Sequence, residues 1–444
     1  MRAINREAWA SLKRKSGWTA GRFLPKAGRV PVLLCILGAC AASAAQAQER
    51  STADGAISVQ KRARPDLDPS PLRFGGFEAL VFLETRLTYD DNIYASRKDV
   101  VDDALAAIAG DVSARSTWSR HALAFDASAA MTRGVSQDDE NTGTYEARAS
   151  GRLDLGVGSQ VTAQAGYARA YEPRGSIGDV DRRGPRTAYD TVNLELAASH
   201  ATGRLTLEAE AGMDRYVYGR HPGRDEAISA ARDYHTWNIG LRVGYAAAPG
   251  ILAFAEGTYN EARYPDDLAR LDRSSDGWSL RGGVGFGLSR LIRGRAAIGY
   301  QDQSFADPVF PRIRGLDFSA GIEWSPTRLT TLSIEARRSI QRSPLVSIAG
   351  IRQSRYGARV DHEALRNLLV WARVDYTTSE YSGSVRAQND LAGGLGGDWL
   401  LSRRVKLSLA SNVQRTRSHG APALPDLARA FDRSRTTVSL RYAL

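Results

Sequence analysis

Apolar and polar residues alternate with a period of two along almost the whole chain after residue 74. The clearest example is Gly315 to Ile340. Leu316, Phe318, Ala320, Ile322 and Trp324 alternate with Asp317, Ser319, Gly321 and Glu323, so a β-strand puts the apolar groups on one face and the polar ones on the other. Ser325-Pro326-Thr327-Arg328 reads as a turn, because proline cannot donate to a ladder and fixes its own φ. A second strand follows, with Leu332, Ile334 and Ala336 opposite Ser333, Glu335 and Arg337. The same alternation recurs from Phe77 to Leu87, from Val192 to Ser199, from Leu205 to Ala211, from Thr236 to Tyr245, from Trp278 to Phe286 and from Asp390 to Trp399.

The connections alternate in length. Short turns are expected near Ser119, Val157, Thr202, Pro249, Ile292, Pro326, Arg366 and Arg403. Between them lie longer polar loops, such as Gln137 to Thr142, Tyr171 to Arg186, Gly219 to Asp233, Pro265 to Ser275 and His419 to Ala430. Short connections on one side and long ones on the other are the asymmetry of an outer-membrane barrel. Eight tight turns and nine long loops predict an all-β fold, a transmembrane antiparallel up-and-down β-barrel of about 18 strands, with sixteen as the alternative count. The strands exceed the roughly 9–11 residues a tilted strand needs to cross hydrocarbon, so they should project beyond it.

Aromatic residues at the strand ends predict two belts at the interfaces. Trp237, Trp278, Tyr89, Tyr94, Tyr259, Tyr264, Tyr300, Tyr376 and Tyr381 lie near long loops, and Trp118, Tyr245, Phe286, Trp324 and Trp399 near short turns; Phe318 and Tyr442 are expected on the lipid face with them. The final strand places Val438, Leu440, Tyr442 and Leu444 outward, like the C-terminal signal read by the barrel assembly machinery, although it ends in leucine rather than an aromatic.

The first residues read as export machinery. Eight basic residues precede the short apolar run Val30 to Leu37, and Ala45-Gln46-Ala47 is a small-x-small cleavage site, so residues 1–47 are expected to be a signal peptide. A rival reading takes Leu37-Gly38-Ala39-Cys40 as a lipoprotein box with Cys40 acylated. Both cysteines, Cys35 and Cys40, fall in this leader, which removes disulfides and cysteine-ligated metals from the mature chain. The leader also carries eight of the 60 basic residues and one of the 49 acids, which is +7 of the formal +11 and leaves +4. The basic balance is therefore a targeting feature, and no nucleic-acid partner is expected. Residues 48–74, with three prolines and no periodicity, are expected to form a flexible periplasmic extension ahead of a barrel over 75–444.

Tyr89-Asp90-Asp91-Asn92-Ile93-Tyr94, Trp118-Ser119-Arg120-His121-Ala122-Leu123, Tyr171-Glu172-Pro173-Arg174-Gly175-Ser176, the block from Ile292 to Tyr300 and Gly321-Ile322-Glu323-Trp324-Ser325-Pro326-Thr327 resemble the Putative beta-barrel porin 2 family of proteobacterial outer-membrane proteins. The resemblance covers nearly all of the chain after Phe74. It implies an integral barrel of the Gram-negative outer membrane, and some members resemble proteins found alongside exopolysaccharide export machinery; it carries over no catalytic or ligand residue.

With the fold assigned, function must come from the lumen or the loops. The alternation points Glu208, Glu210, Arg242, Arg281, Asp317, Glu323, Glu335, Arg337, Arg373, Asp375, Asp390 and Asp398 inward, together with Asp214, Arg295 and Lys406. Facing rows of acids and bases would orient polar solutes across a constriction; charges paired across the wall would only keep the interior wet. The six histidines are scattered without the spacing of a metal site or a catalytic triad, so no cofactor, metal or catalytic residue is expected and the chain reads as a non-enzyme. Gly393-Gly394-Leu395-Gly396-Gly397 lies inside a strand, where glycine serves curvature or close packing and not a phosphate cradle. The acidic run Ser136 to Asn141 reads as a solvated tip or a divalent-cation site, and the basic loop Arg174 to Arg186 as solvated surface or a contact for anionic saccharide. The expected function is a porin-like channel for small polar solutes or saccharides. The alternative is an accessory of surface polysaccharide export or anchoring with a plugged lumen. Expected partners are outer-membrane lipid, lipopolysaccharide and polysaccharide.

Overall fold

The computed structural model describes residues 58–179, 183–219, 231–265, 271–289, 291–345, 347–420 and 430–444. The signal peptide expected over 1–47, the Cys40 alternative and the first ten residues of the extension lie outside them. A short strand β1 (Leu72–Phe74) turns through Gly75, at φ +54°, into β2 (Phe77–Asp90). The chain continues through β3 (Asp103–Ser116), β4 (Ala122–Gly134), β5 (Thr142–Gly156), β6 (Ser159–Tyr171), β7 (Ala188–Thr202), β8 (Leu205–Tyr218) and β9 (Tyr234–Ala248). There follow β10 (Ile251–Arg263), β11 (Ser275–Ser289), β12 (Ile292–Phe305), β13 (Ile313–Thr327), β14 (Thr330–Arg342) and β15 (Gly350–Leu365). The last four are β16 (Leu368–Tyr381), β17 (Ala387–Leu400), β18 (Val405–His419) and β19 (Phe431–Ala443).

From β2 to β19 each strand pairs antiparallel with the next, and β19 pairs with β2 from Arg435↔Asp90 to Ala443↔Phe82. The 18 strands therefore form a closed barrel of neighbour-to-neighbour connections. The final ladder bond runs from Leu444 N to Val81 O, 3.0 Å. Closure leaves no open edge, the condition for a sheet to exist in lipid, where an unpaired backbone group has no water to turn to. The two ends differ as expected, with two-residue turns such as Val157-Gly158 and Pro249-Gly250 at one and all the long loops at the other. Gly158 and Gly250 have φ of +75° and +74°, and a Cβ there would fall 2.3 Å from Ala201 O and 2.5 Å from Gly287 O, so these turns require glycine.

Alternation sorts the side chains by face. Leu83, Leu87, Ile108, Val112, Leu194, Ile239, Leu280, Ile298, Leu395, Leu409 and Val438 are exposed on the outside, while Glu208, Glu256 and Asp317 are buried on the inside. This is the inverse of a soluble protein and is what a barrel solvated by lipid outside and water inside requires.

Three local features depart from the sequence reading. Pro326 is not in the turn: β13 runs to Thr327, and the proline sits in the register shift between Trp324 and Thr327, where its missing N–H costs no ladder bond. The extension expected to be flexible is held from Ser58 onward against the short-turn rim, with a 3₁₀ turn over Val59–Lys61. Val59 is fully buried and its N–H donates to Thr331 Oγ1 (3.1 Å), while Arg62 and Arg64 pair with Glu363 at 3.3 and 3.1 Å. Finally, the β13–β14 ladder stops at Ser319↔Arg337, whereas β14 and β15 stay paired to Arg342↔Gly350. The tip of that hairpin leans over the long-loop mouth, so that a Cβ on Gly350 would meet Ile313 Cδ1 at 2.5 Å and Phe305 Cζ at 2.8 Å.

The face assignment is tested by paired substitutions. Ile298→Arg, near the middle of β12 on the outer face, is expected to destabilise the barrel in lipid vesicles by about 2–4 kcal/mol, and Gln301→Arg on the inner face by much less. Urea unfolding followed by tryptophan fluorescence measures both, and equal costs would contradict the assignment.

Candidate channel lining

All twelve lumen candidates lie on the inner face. They are organised into rows by the register, because residues opposite one another in successive strands point the same way. The strongest row crosses β8 to β13. Glu208 faces Arg242, Arg242 faces Glu256 and Glu256 faces Arg281. Arg242 Nη1 lies 2.8 Å from Glu208 and its Nη2 2.5 Å from Glu256, and Arg281 Nη2 is 2.7 Å from the other oxygen of Glu256. The next inner position is Gly299, where a Cβ would be 1.9 Å from Leu280 O and 2.8 Å from Arg281 Cγ. The absence of a side chain there lets Arg281 extend a further strand to Asp317, 3.6 Å away. Above it lies a cavity of about 250 Å³ lined by Thr258, Asn260, Ser279, Gln301, Gln303 and Asp317 among others.

The remaining candidates pair more locally or stay free. Glu323 accepts from Arg293 at 2.8 Å, and Arg355 bridges Asp375 (3.0 Å) and Glu335 (3.8 Å). Asp398 accepts from Ser408 at 2.6 Å and lies 3.9 Å from Lys406, while Asp390 accepts from Gln388 at 3.0 Å. Glu210 packs over Gly240 without an ion pair, and Arg337 and Arg373 meet no carboxylate within 4.0 Å among the described residues. Both readings of the charges thus have residues behind them: the acids and bases of the β8–β13 row are paired within the wall, while Arg337 on β14 and Arg373 on β16 have no carboxylate within 4.0 Å among the described residues.

The outer-face candidates lie as follows. Trp237 and Trp278 are exposed at the long-loop ends of β9 and β11, Trp324, Trp399 and Tyr442 at the short-turn ends of their strands, and Trp118 beside the β3–β4 turn, edge-on to Phe77. Phe318 is outward but partly covered, with Tyr356 at 6.3 Å and the Arg338 guanidinium at 5.2 Å. Tyr264 and Tyr381 are buried at the long-loop end and do not join a belt, and neither does Tyr94. It lies in the β2–β3 loop, buried beneath the Arg174 guanidinium (5.3 Å), and its hydroxyl donates to Gln137.

The loops are not the solvated surface that their composition suggested. Arg174 is buried, donates through Nε to Glu140 (2.6 Å) and pairs with Asp179 (3.2 Å). The acidic run at 136–141 therefore anchors the β6–β7 loop, and Glu140 is neither a solvated tip nor part of a metal cluster among the described residues. Beyond Arg174 the loop passes Gly175, packed on Phe431 and Ala95, and sets Ile177 against Leu345, Ile348, Ile351 and Tyr381. β6 and β15 are nine strands apart in a ring of 18, so this loop crosses the mouth to the opposite wall. Burial lowers the Arg186 guanidinium from its ordinary value, with Arg174 and Arg433 adding to the effect and Glu140 opposing it. On the β14–β15 side, Arg273 stacks on Tyr264 (4.3 Å) and donates to the carbonyls of Ser343 and Leu345 at 2.9 and 3.3 Å; burial also lowers its pKa.

Sequence reading missed Glu256, Phe254, Arg359 and Trp371 on the inner face. In β10 and β16 apolar residues occupy both faces, with Phe254 between the Arg242 and Arg295 guanidiniums (5.4 and 5.3 Å) and Leu369 and Trp371 facing inward, which hides the alternation. Geometry also joins Ser159 Oγ to His200 Nδ1 at 2.7 Å, but no carboxylate pairs with His200 among the described residues, so the contact lacks the third group of a triad.

The chain belongs to the Putative beta-barrel porin 2 family, whose sequence profile matches residues 64–442. It is a porin-like outer-membrane β-barrel. Among solved structures it is similar to the FrpB iron transporter from Neisseria meningitidis, with a TM-score of 0.48 and 10% identity over 83% of this chain and 66% of that one, so it spans just under two thirds of FrpB. It is also similar to OpdL from Pseudomonas aeruginosa (TM-score 0.41, 15% identity, 83% of this chain and 99% of that one). OccAB3 from Acinetobacter baumannii gives 0.42 and 10% over 82% and 99%. No curated protein matches the sequence.

The central ion row gives a further test. Arg242→Met leaves Glu208 and Glu256 facing each other without their shared cation and should cost about 2–3 kcal/mol, below the cost of breaking a fully dry pair because Arg242 is itself partly exposed. Adding Glu256→Met should recover part of that loss in a double-mutant cycle measured by urea unfolding; strict additivity would show that the pair is not coupled.

Proposed function

We propose that this barrel is a non-enzymatic diffusion channel for small polar solutes and saccharides, exported by the basic leader and oriented with its short turns in the periplasm and its long loops outside. The observation that carries the reading is the inner face: rows of arginines and carboxylates run around a closed wall, and Arg337, Arg373 and Arg435 on β14, β16 and β19 meet no carboxylate among the described residues. Fixed charges of this kind hold water in the lumen and select polar solutes by sign. The loop anchored by Arg174 then sets the aperture at the outer mouth.

A second reading is favoured by the N-terminal contact. Val59, Arg62 and Arg64 dock on Thr331 and Glu363 at the short-turn rim, where a partner of surface polysaccharide export could be tethered by the preceding segment. Deleting the gene would then alter surface polysaccharide while leaving solute uptake unchanged.

Purified barrel in planar bilayers separates the two. The channel reading expects discrete conductance steps, and their absence from well-folded protein rejects it. Arg174→Ala, which frees the β6–β7 loop from Glu140 and Asp179, should raise the unitary conductance and expose the loop to protease.

A further inference from the structure

The glycine-rich run of β17 acquires a purpose from what lies on it. Gly394 and Gly396 face inward, opposite Arg373 and Trp371 on β16. A Cβ on Gly396 would fall 2.6 Å from Trp371 Cζ2, and one on Gly394 would fall 2.5 Å from Asn412 Oδ1 and 3.3 Å from Trp371 Cζ3. The indole therefore rests directly on the β17 backbone, half-buried inside the lumen. Two guanidiniums lie over it, Arg359 at 4.9 Å and Arg373 at 5.8 Å from the ring centre. Over the bare Gly394, Arg373 reaches Asn412 Oδ1 at 3.1 Å, and Arg435 is the next inner residue in the same row.

Charge balance distinguishes this wall from the β8–β13 row. Arg359 is neutralised by Asp361 at 2.7 Å, but neither Arg373 nor Arg435 has a carboxylate within 4.0 Å among the described residues, and both are accessible. In the β8–β13 row an acid is shared between two bases, as Glu256 is between Arg242 and Arg281; here the acid opposite Arg435 in the register, Asp90, is taken by Arg433. Here a partly exposed aromatic ring lies under the forks of Arg359 and Arg373, the second of which has no carboxylate partner among the described residues. A pyranose presents an apolar face of C–H groups that covers a flat ring, and a planar guanidinium matches a carboxylate bidentately.

We propose that Trp371, Arg373 and Arg435, with Arg359 and Asn412, form a subsite for a carboxylate-bearing saccharide, the sugar ring packing on the exposed part of Trp371 beside the guanidiniums over it and its carboxylate on Arg373 and Arg435. The proposal rests on the reading of the lumen as a solute path and names the class of solute that path favours.

The test uses the full-length barrel, by titration calorimetry in detergent and by current block in planar bilayers, with trigalacturonate, maltotriose and acetate as probes at about 0.1 M salt. Trigalacturonate should bind and block about tenfold more tightly than either maltotriose or acetate. Trp371→Leu and Arg373→Gln should each weaken trigalacturonate about tenfold, whereas Arg148→Gln, on β5 and paired with Glu146, should leave it unchanged. Equal binding of trigalacturonate and maltotriose, or indifference to both substitutions, overturns the proposal. Loss of affinity on Arg373→Gln but not on Trp371→Leu, with acetate binding as well as trigalacturonate, also overturns it in favour of a simple anion site. Binding in detergent with the expected variant pattern but no conductance would uphold the subsite and refute the channel; conductance without binding would do the reverse.

Discussion

Closure of β19 onto β2 is the constraint from which the rest follows. Within hydrocarbon a backbone N–H or C=O has no solvent partner, so the sheet must complete its own ladder, and it does so by returning after 18 strands to the residues from Phe82 to Asp90. Closure fixes one face toward lipid and the other toward the lumen, and the period-two pattern then decides the chemistry of both. Leucine and valine on the outside and arginine and carboxylate on the inside are consequences of that geometry and not separate features.

The lumen wall is not electrically uniform. Over β8 to β13 acids and bases alternate within bonding distance, and the glycine at 299 lets the chain of contacts skip a strand. Over β14 to β19 Arg337, Arg373 and Arg435 have no carboxylate within 4.0 Å among the described residues, and glycines at 394 and 396 admit an aromatic ring under Arg373. Six strands of the wall thus carry a paired row of acids and bases, and six others carry guanidiniums with no carboxylate partner among the described residues, so the lining is electrically uneven around the barrel. The long-loop end is built differently again. Arg174, Arg186 and Arg273 are sequestered by carboxylates, carbonyls and tyrosine rings, and the apolar contact of Ile177 with the opposite wall ties two sides of the mouth together.

Alternation, turn chemistry and the unequal connections were enough to read the strand count, the antiparallel order and the inward side of residues such as Glu208, Arg242 and Asp317, because these depend only on a period of two and on which residues end a strand. The family followed from local segments in the same way. Strands with apolar residues on both faces escaped that reading, which is why Glu256 and Trp371 were missed. Pro326 was placed in a turn because proline ends strands in general, whereas here a bulge accommodates it inside one.

Whether a charge is paired, however, depends on its neighbours across strands, and those are separated by tens to hundreds of residues. Arg174 finds Glu140, Gly175 finds Phe431, and Arg64 finds Glu363 only once the barrel is closed. The sequence by itself determined an 18-strand barrel with an oily outside and a polar inside. Only the tertiary structure decided which inner arginines are neutralised, which remain free and which loop crosses the mouth, because register converts distance along the chain into contact across the wall.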